Sequence, residues 1–400
     1  MTSEETSPLR ARLIRERNQR MVLRLIFRNG SLSQSRAVLK TGLKAPTVFR
    51  IFSDLEKSGL IEPAEPQEAG KEQKGKKGRK PVLYRLKPGA AYVAGVDFWA
   101  HSAAAILQDF GGSQVAERSL CFASPPSAEE ALNLIASLVR DMLDEACIQA
   151  DQLLGIGVGA PGSVGISTGV VHYYARIPGM VQYPLGQKLH DIFGVPVIVS
   201  NNASIVAMAE QRYGMARNAS SLFMFLVRAG VGGAYLQNGK LVSDHSRTAF
   251  EVGHLSVDRE GRECSCGNRG CLELYLNEEE VCRALSALGP CAEIGEADHI
   301  IEKDPEKAVS LLRTILNYAA HAVRDIRRLL APEVVVVVTR SRHLSELIVQ
   351  AASEDYIHHD QRFGPSGSKI LGTEYSAIQA CRAACDLVYE EYFTHGFEER

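Results

Sequence analysis

The stretch Glu251 to Glu273 reads EVGHLSVDREGRECSCGNRGCLE and places His254, Cys264, Cys266 and Cys271 within eighteen residues. Zinc takes four nitrogen or sulfur ligands in a tetrahedron, and a closed Cys3His set is one of its structural forms. Gly267 and Gly270 let the backbone turn tightly between Cys266 and Cys271, because glycine adopts positive φ at little cost. The bland alternative, three buried thiols beside an unrelated histidine, leaves the clustering unexplained. A disulfide does not suit a chain with the features of a reduced compartment.

Two carboxylates flank the set. Glu251 lies three residues before His254, and Glu273 lies two after Cys271. A metal-bound histidine keeps one ring nitrogen for a second partner, and a ligand hydroxyl is one such partner. Neighbouring carboxylates accept hydrogen bonds from further hydroxyls. The metal therefore reads as a support for a polyol-binding site. A catalytic zinc keeps an open position, and four protein ligands leave none.

The pattern E-x-G-H followed by C-x-C-G-x-x-G-C-x-E resembles the ROK family (repressor, open reading frame, kinase), bacterial sugar kinases and sugar-responsive transcription regulators. The resemblance implies that His254, Cys264, Cys266 and Cys271 hold structural Zn2+. It also implies that Glu251, His254 and Glu273 contact a sugar. One departure is Phe250, where the family usually has glycine.

With 400 residues, two to three domains are expected. Apolar content of 45%, charged content of 23% and a net charge of −2 are ordinary for a globular protein and give no global bias toward nucleic acid. The six other cysteines are scattered; Cys381 and Cys385 share a helix face at packing distance. There is no apolar leader and no run of eighteen apolar residues, so no membrane contact is expected and the chain reads as cytoplasmic.

The first ninety residues carry a different pattern. Ile14, Met21, Val22, Leu25 and Ile26 recur at roughly helical spacing, and Gly30 ends that helix. Ser33 or Ser35 is placed to cap a second helix running to about Thr41, with Gly42 as the turn. A third helix is expected from about Ala45 to Ser58, with Pro46 in its first turn and Val48, Ile51, Phe52 and Leu55 inward. Short helix, glycine turn, helix is a helix-turn-helix layout. It resembles the winged-helix domain of ROK regulators, which implies that Thr47, Phe49 and Arg50 face the major groove. Lys44 replaces the family's usual capping serine. Phe49 either meets a thymine methyl or packs inward. The rival reading is a three-helix protein-interaction module.

Residues 63–81 lose all apolar pattern and carry Lys71, Lys74, Lys76, Lys77, Arg79 and Lys80. Such runs are usually solvated loops. Directly after a recognition helix, the reading shifts to a wing or linker in which Lys76, Lys77, Arg79 and Lys80 meet DNA phosphates or the minor groove. Val82 to Leu86 is the expected returning wing strand.

From Tyr92 onward strands and helices alternate, which indicates an α/β body. The resemblance spans about residues 14 to 393. It implies a two-lobed, actin-like ATPase (ribonuclease H-like) fold with the sugar in the cleft. The expected units are 1–88, a winged helix-turn-helix with a basic linker; 89–203, lobe one, completed by about 374–400; and 204–373, lobe two with the metal motif.

Phosphoryl transfer needs groups that neutralise phosphates and orient the attacking hydroxyl. ROK kinases use D-x-G-G-T near the start of the body, where this chain has Asp97-Phe98-Trp99-Ala100-His101-Ser102. The second phosphate loop, usually G-T-G-x-G-x-G, reads Arg228-Ala229-Gly230-Val231-Gly232-Gly233-Ala234. The adenosine loop reads Thr339-Arg340-Ser341 instead of paired glycines. The catalytic aspartate of N-D-A is Asn202, in Asn201-Asn202-Ala203; an amide accepts a hydrogen bond but not a base's proton. The sugar-contact set stays: Gly162, Asn201, Asn202, Glu251, His254 and Glu273. The expectation is a non-enzymatic, sugar-responsive DNA-binding regulator, a repressor of carbohydrate genes. Its partners would be operator DNA and a sugar or sugar-phosphate effector, and it would be a homodimer or homotetramer. The alternatives are an active sugar kinase with an appended domain and a regulator released by a protein partner.

Overall fold

The computed structural model describes residues 8–64, 81–242, 250–359 and 367–396. Lys76, Lys77, Arg79 and Lys80 lie outside them. The N-terminal domain comprises α1 (Pro8–Asn29), β1 (Leu32–Ser33), α2 (Gln34–Thr41), α3 (Ala45–Lys57), β2 (Ile61–Pro63) and β3 (Leu83–Leu86). Ser33 caps α2 by accepting from the Arg36 backbone, and Gly42 ends it in the left-handed conformation. Lys44 offers α3 no side-chain cap. Val48, Ile51, Phe52 and Leu55 are buried, as their spacing requires. β3 pairs antiparallel with β2 and with β1, so Leu83–Leu86 returns as a wing strand, one residue shorter than expected.

Lobe one follows: β4 (Tyr92–Phe98), β5 (Ser102–Asp109), β6 (Gln114–Cys121), α4 (Ala128–Glu145) and β7 (Leu153–Ala160). A small three-stranded sheet, β8 (Ser163–Gly165), β9 (Val170–Tyr173) and β10 (Val181–Tyr183), precedes α5 (Leu185–Phe193) and β11 (Val197–Asn201). After α6 (Asn202–Arg212) come β12 (Ser221–Val227), β13 (Val231–Gln237) and β14 (Lys240–Leu241). The metal motif leads to α7 (Glu278–Leu285), α8 (Ala297–Lys303), α9 (Pro305–Leu330), β15 (Val334–Thr339), α10 (Arg342–His359), β16 (Lys369–Glu374) and α11 (Ala377–Thr394).

The two main sheets share one topology. Their orders are β11-β7-β4-β5-β6 and β14-β13-β12-β15-β16. In each, an antiparallel three-strand meander begins with the central strand, and two further strands join that strand's other side in parallel. That duplication is the two-lobed, actin-like architecture. Phe250, the departure from the family's glycine, packs on Phe223 and Tyr235 with ring centroids 5.8 and 6.3 Å apart.

α11 ties the domains together. A Cβ on Gly95 or Gly157 would fall 2.0 or 1.9 Å from the carbonyl oxygens of Cys381 and Ala384, so only glycine lets the helix lie this close to β4 and β7. Cys381 and Cys385 are buried in that contact. At the far end, the Phe27 ring of α1 lies 4.7 Å from Tyr389 and 5.3 Å from Phe393, and Arg24 and Arg28 pair with Glu390. One apolar cluster therefore runs from Val22 and Ile26 of the N-terminal domain into Tyr389 and Phe393 of the body. Among the described residues no helix is long and apolar enough to cross a membrane.

Asp386 of α11 accepts from the Tyr213 hydroxyl at 2.7 Å and lies 3.2 Å from Arg212. Burial outweighs these partners and pushes its carboxyl from 3.8 up to about 6. The folded state thus binds a proton that the unfolded chain has lost between those values. Its contribution is fully present below about pH 4 and is lost as pH rises through about 6. Asp386→Asn is expected to remove that fall, which amounts to roughly 3 kcal/mol between the two limits. Wild-type minus variant unfolding free energies measured from pH 3.5 to 7 check it; a flat difference defeats it.

Candidate functional site

Beyond β14, the 3-10 turn Val252–His254 carries His254, while a second such turn, Leu272–Leu274, carries Glu273. The two segments are joined by an antiparallel bridge between Ser256 and Cys271 and a second between Glu263 and Arg269. Gly270 makes this closure: at φ +65° its Cβ position would lie 1.6 Å from the Asp258 carbonyl oxygen. The result gathers His254, Cys264, Cys266 and Cys271 so that one ligand atom of each lies within 4.8 Å of every other. Cys264 Sγ is 3.7 Å from His254 Nδ1, and Cys266 Sγ is 3.6 Å from Cys271 Sγ. Tetrahedral zinc–sulfur bonds imply ligand separations of about 3.8 Å. All three cysteines are free thiols. Without a cation, burial and the neighbouring thiols push Cys271 up to about 12, while the Asn268 backbone holds Cys266 below its usual range. Three crowded thiols ionise together only beside a positive centre, so this donor set fits a thiophilic metal ion.

Around this cluster stand the carboxylates. Glu273 Oε1 lies 3.4 Å from His254 Nδ1, and Glu251 is exposed at the start of the first turn. The other residues of the expected sugar set lie just after β7 and at the junction of β11 with α6. Asn201 donates to the Gly162 carbonyl at 2.5 Å and accepts from the Ala203 backbone at 2.7 Å, capping α6. Asn202 is buried and its amide nitrogen donates to Asp97 at 2.7 Å and to the Phe98 carbonyl at 2.9 Å. Its place beside Asp97 was not visible in the sequence, because the two residues are far apart along the chain.

The three altered loops meet one another. Trp99 follows β4, Arg228 follows β12, and Arg340 follows β15. The guanidinium carbons of Arg228 and Arg340 lie 4.6 and 4.8 Å from the Trp99 ring centroid. Arg340 makes a bidentate pair with Glu278 at 2.6 and 2.7 Å. A tryptophan ring with two guanidinium groups against it makes these loops unlike glycine turns that admit phosphate.

On α3 of the N-terminal domain, Phe49 and Arg50 are exposed and Thr47 is partly so, while Val48 between them is buried. Phe49 thus points outward instead of packing into the core.

A ROK family profile matches residues 93–363, more than half of the chain. The chain belongs to the ROK family. A winged helix-turn-helix DNA-binding profile matches residues 15–62 in front of it. This ROK chain is 26% identical over 359 residues to a xylose repressor of Caldicellulosiruptor bescii, covering 86% of this chain and 88% of that one. It is 27% identical over 273 residues to the xylose repressor of Bacillus spizizenii, covering 68% of each. Among solved structures, a ROK family transcriptional regulator described as a homologue of the Escherichia coli MLC protein superposes with a TM-score of 0.77 at 18% identity, over 95% of this chain and 98% of that one. That likeness carries the fold and includes the N-terminal domain.

Proposed function

We propose that this ROK chain is a sugar-responsive transcriptional repressor of carbohydrate genes whose kinase-like body binds its effector without phosphorylating it. The observation that carries the reading is the contrast within one cleft. His254 and Glu273 lie together at the Cys3His cluster with Glu251 heading the adjoining turn, while Arg228 and Arg340 both pack on Trp99 where a kinase keeps glycine loops. Zinc is the proposed resident metal: it would be held by His254, Cys264, Cys266 and Cys271, with a structural role, keeping the His254 ring oriented toward the ligand. Gly162, Asn201 and Asn202 complete the proposed polar wall. A homodimer or homotetramer would bring two recognition helices onto a near-palindromic operator.

The xylose-repressor relatives make D-xylose the first probe. Thermal shift against D-xylose, D-glucose, N-acetylglucosamine and their phosphates is expected to show a stabilising sugar, since a ligand binding the native state alone raises its stability. ATP consumption in the same sugars is expected to equal a no-sugar control. Sugar-dependent turnover would promote the kinase reading.

The DNA side is tested separately. Thr47, Phe49 and Arg50 are the proposed base-reading residues, and Lys76, Lys77, Arg79 and Lys80 the proposed phosphate contacts. Neutralising all four is expected to weaken specific and random duplexes alike and to lower the log–log salt slope by about 0.9 per lost contact. Arg50→Ala is expected instead to change which sequence is preferred. A loop variant with the wild-type slope would remove the loop from the interface.

A further inference from the structure

Arg228 is buried, and its side chain faces both lobes. Its guanidinium carbon lies 4.6 Å from the Trp99 ring centroid and 4.4 Å from that of Tyr375. Nη1 is 3.7 Å from Asp97 Oδ2, a long ion pair, and neither Nη1 nor Nη2 has a hydrogen-bond partner among the described residues. A buried arginine is ordinarily fixed by directed bonds, because desolvating a guanidinium is costly. This one is held by a carboxylate and two aromatic faces. Cation–π and long coulombic contacts depend weakly on angle, so small displacements change their strength without a discrete bond to break.

The surroundings connect this charge to two places. In one direction, the Arg228 backbone N–H donates to the Gly230 carbonyl at 2.9 Å, closing the turn between β12 and β13. Glu273 Oε2 stands 3.0 Å from the position a Cβ on Gly230 would take, so the carboxylate of the metal cluster rests on that turn. The Arg228 carbonyl also accepts from the Glu278 backbone at 2.9 Å. In the other direction, the Tyr375 hydroxyl donates to Asp97, and α11 starts two residues later. Asp97 in turn accepts from Asn202 at 2.7 Å.

We infer that Arg228 is a positioning residue that couples occupancy of the Glu273 side of the cleft to the start of α11, standing in the chain where a kinase would hold nucleotide between its lobes. A sugar drawn onto Glu273 shifts the β12–β13 turn, alters the Trp99–Arg228–Tyr375 stack and moves α11, on whose far end α1 is seated. This rests on the sugar-sensor reading above. A ligand shifts such an equilibrium only by its differential affinity for the two arrangements, and a contiguous route needs a measured coupling to stand.

The test uses the full chain and a duplex selected by the wild type from a random library. Duplex affinity is measured with and without the sugar of the panel D-xylose, D-glucose and N-acetylglucosamine that changes the wild type most. Arg228→Met combined with Asp97→Asn removes the charge pair together, leaving no orphaned carboxylate. The expected result is a sugar-induced change of about 5- to 150-fold in the wild type, reduced below about twofold in the double variant. Its affinities for sugar and duplex taken singly stay within about threefold. Arg228→Lys, which keeps the charge but not the planar stack, is expected to restore part of the response. If the double variant fails to fold, Trp99→Leu is read instead, with the same expected loss. A double variant, or in its place Trp99→Leu, that keeps the wild-type factor overturns the coupling role while leaving the sensor reading intact. A wild type unmoved by every sugar overturns the sensor reading and, with it, this inference.

Discussion

Cys266→Ser is expected to remove the proposed zinc and the sugar response in one step. Of the three thiols, Cys266 is the exposed one, whereas Cys264 and Cys271 are buried. Replacing it costs little packing, so what is lost is coordination. Serine is a poor ligand for a thiophilic ion, and three donors hold it far less well than four. Structural zinc in small modules contributes roughly 10–16 kcal/mol of apparent binding free energy. The segment that it would close spans the bridges from Ser256 to Cys271 and from Glu263 to Arg269, which are isolated pairs rather than a strand ladder. With the ion gone, His254 and Glu273 lose their fixed relation. Elemental analysis is expected to fall from about one zinc per chain to near zero, alongside loss of any sugar-induced rise in Tm. Metal-free protein with full sugar affinity would refute the arrangement.

Glu251→Gln is expected to lower sugar affinity by about 10- to 150-fold, the equivalent of the roughly 1.5–3 kcal/mol carried by a hydrogen bond to a charged group. Operator affinity is expected to stay at the wild-type value without sugar, because Glu251 sits in the metal segment of lobe two and the N-terminal domain docks on α11. The matching control is Asn202→Asp. It restores the side chain of a kinase base, yet no ATP turnover is expected, since Trp99, Arg228 and Arg340 still fill one another's space. It is also expected to lower Tm, because the new carboxyl would stand where the Asn202 amide now donates to Asp97 at 2.7 Å. Two buried carboxyls at that distance cannot both ionise without a large cost. Isothermal titration with the sugar, duplex titration and a coupled ATPase assay separate these outcomes. An Asn202→Asp variant that turns over ATP would mean that the altered loops still admit nucleotide.

Local sequence carried much of this. The helix-turn-helix was readable because its inward positions repeat at helical spacing and its ends carry Ser33, Gly42 and Pro46. The His254, Cys264, Cys266 and Cys271 cluster was readable because its members are close in the chain. β15, Val334–Thr339, announced itself as a continuous apolar run. Other elements gave weaker signals. β6 is exposed along nearly its whole length, and β16 is only partly buried, so neither shows alternation. The three short strands β8, β9 and β10 gave no pattern because each is only three or four residues long and buries just one or two of them, such as Val164, Val171 and Tyr183.

Residue identity at short range was therefore enough to read the family pattern, the clustering of His254, Cys264, Cys266 and Cys271, and the helix-turn-helix, since each depends on neighbours within one turn or one loop. The fate of the lost glycine loops was decided elsewhere. That Trp99, Arg228, Arg340 and Tyr375 would close on one another depends on bringing together the ends of β4, β12, β15 and β16 from two sheets. The docking of α1 on α11 likewise joins residues more than 350 positions apart, such as Arg28 and Glu390. A local pattern records which face of a helix or strand is apolar. It does not record which distant face covers it, because that is chosen by the packing of whole layers, and the polar groups left in the cleft take whatever partners that packing provides.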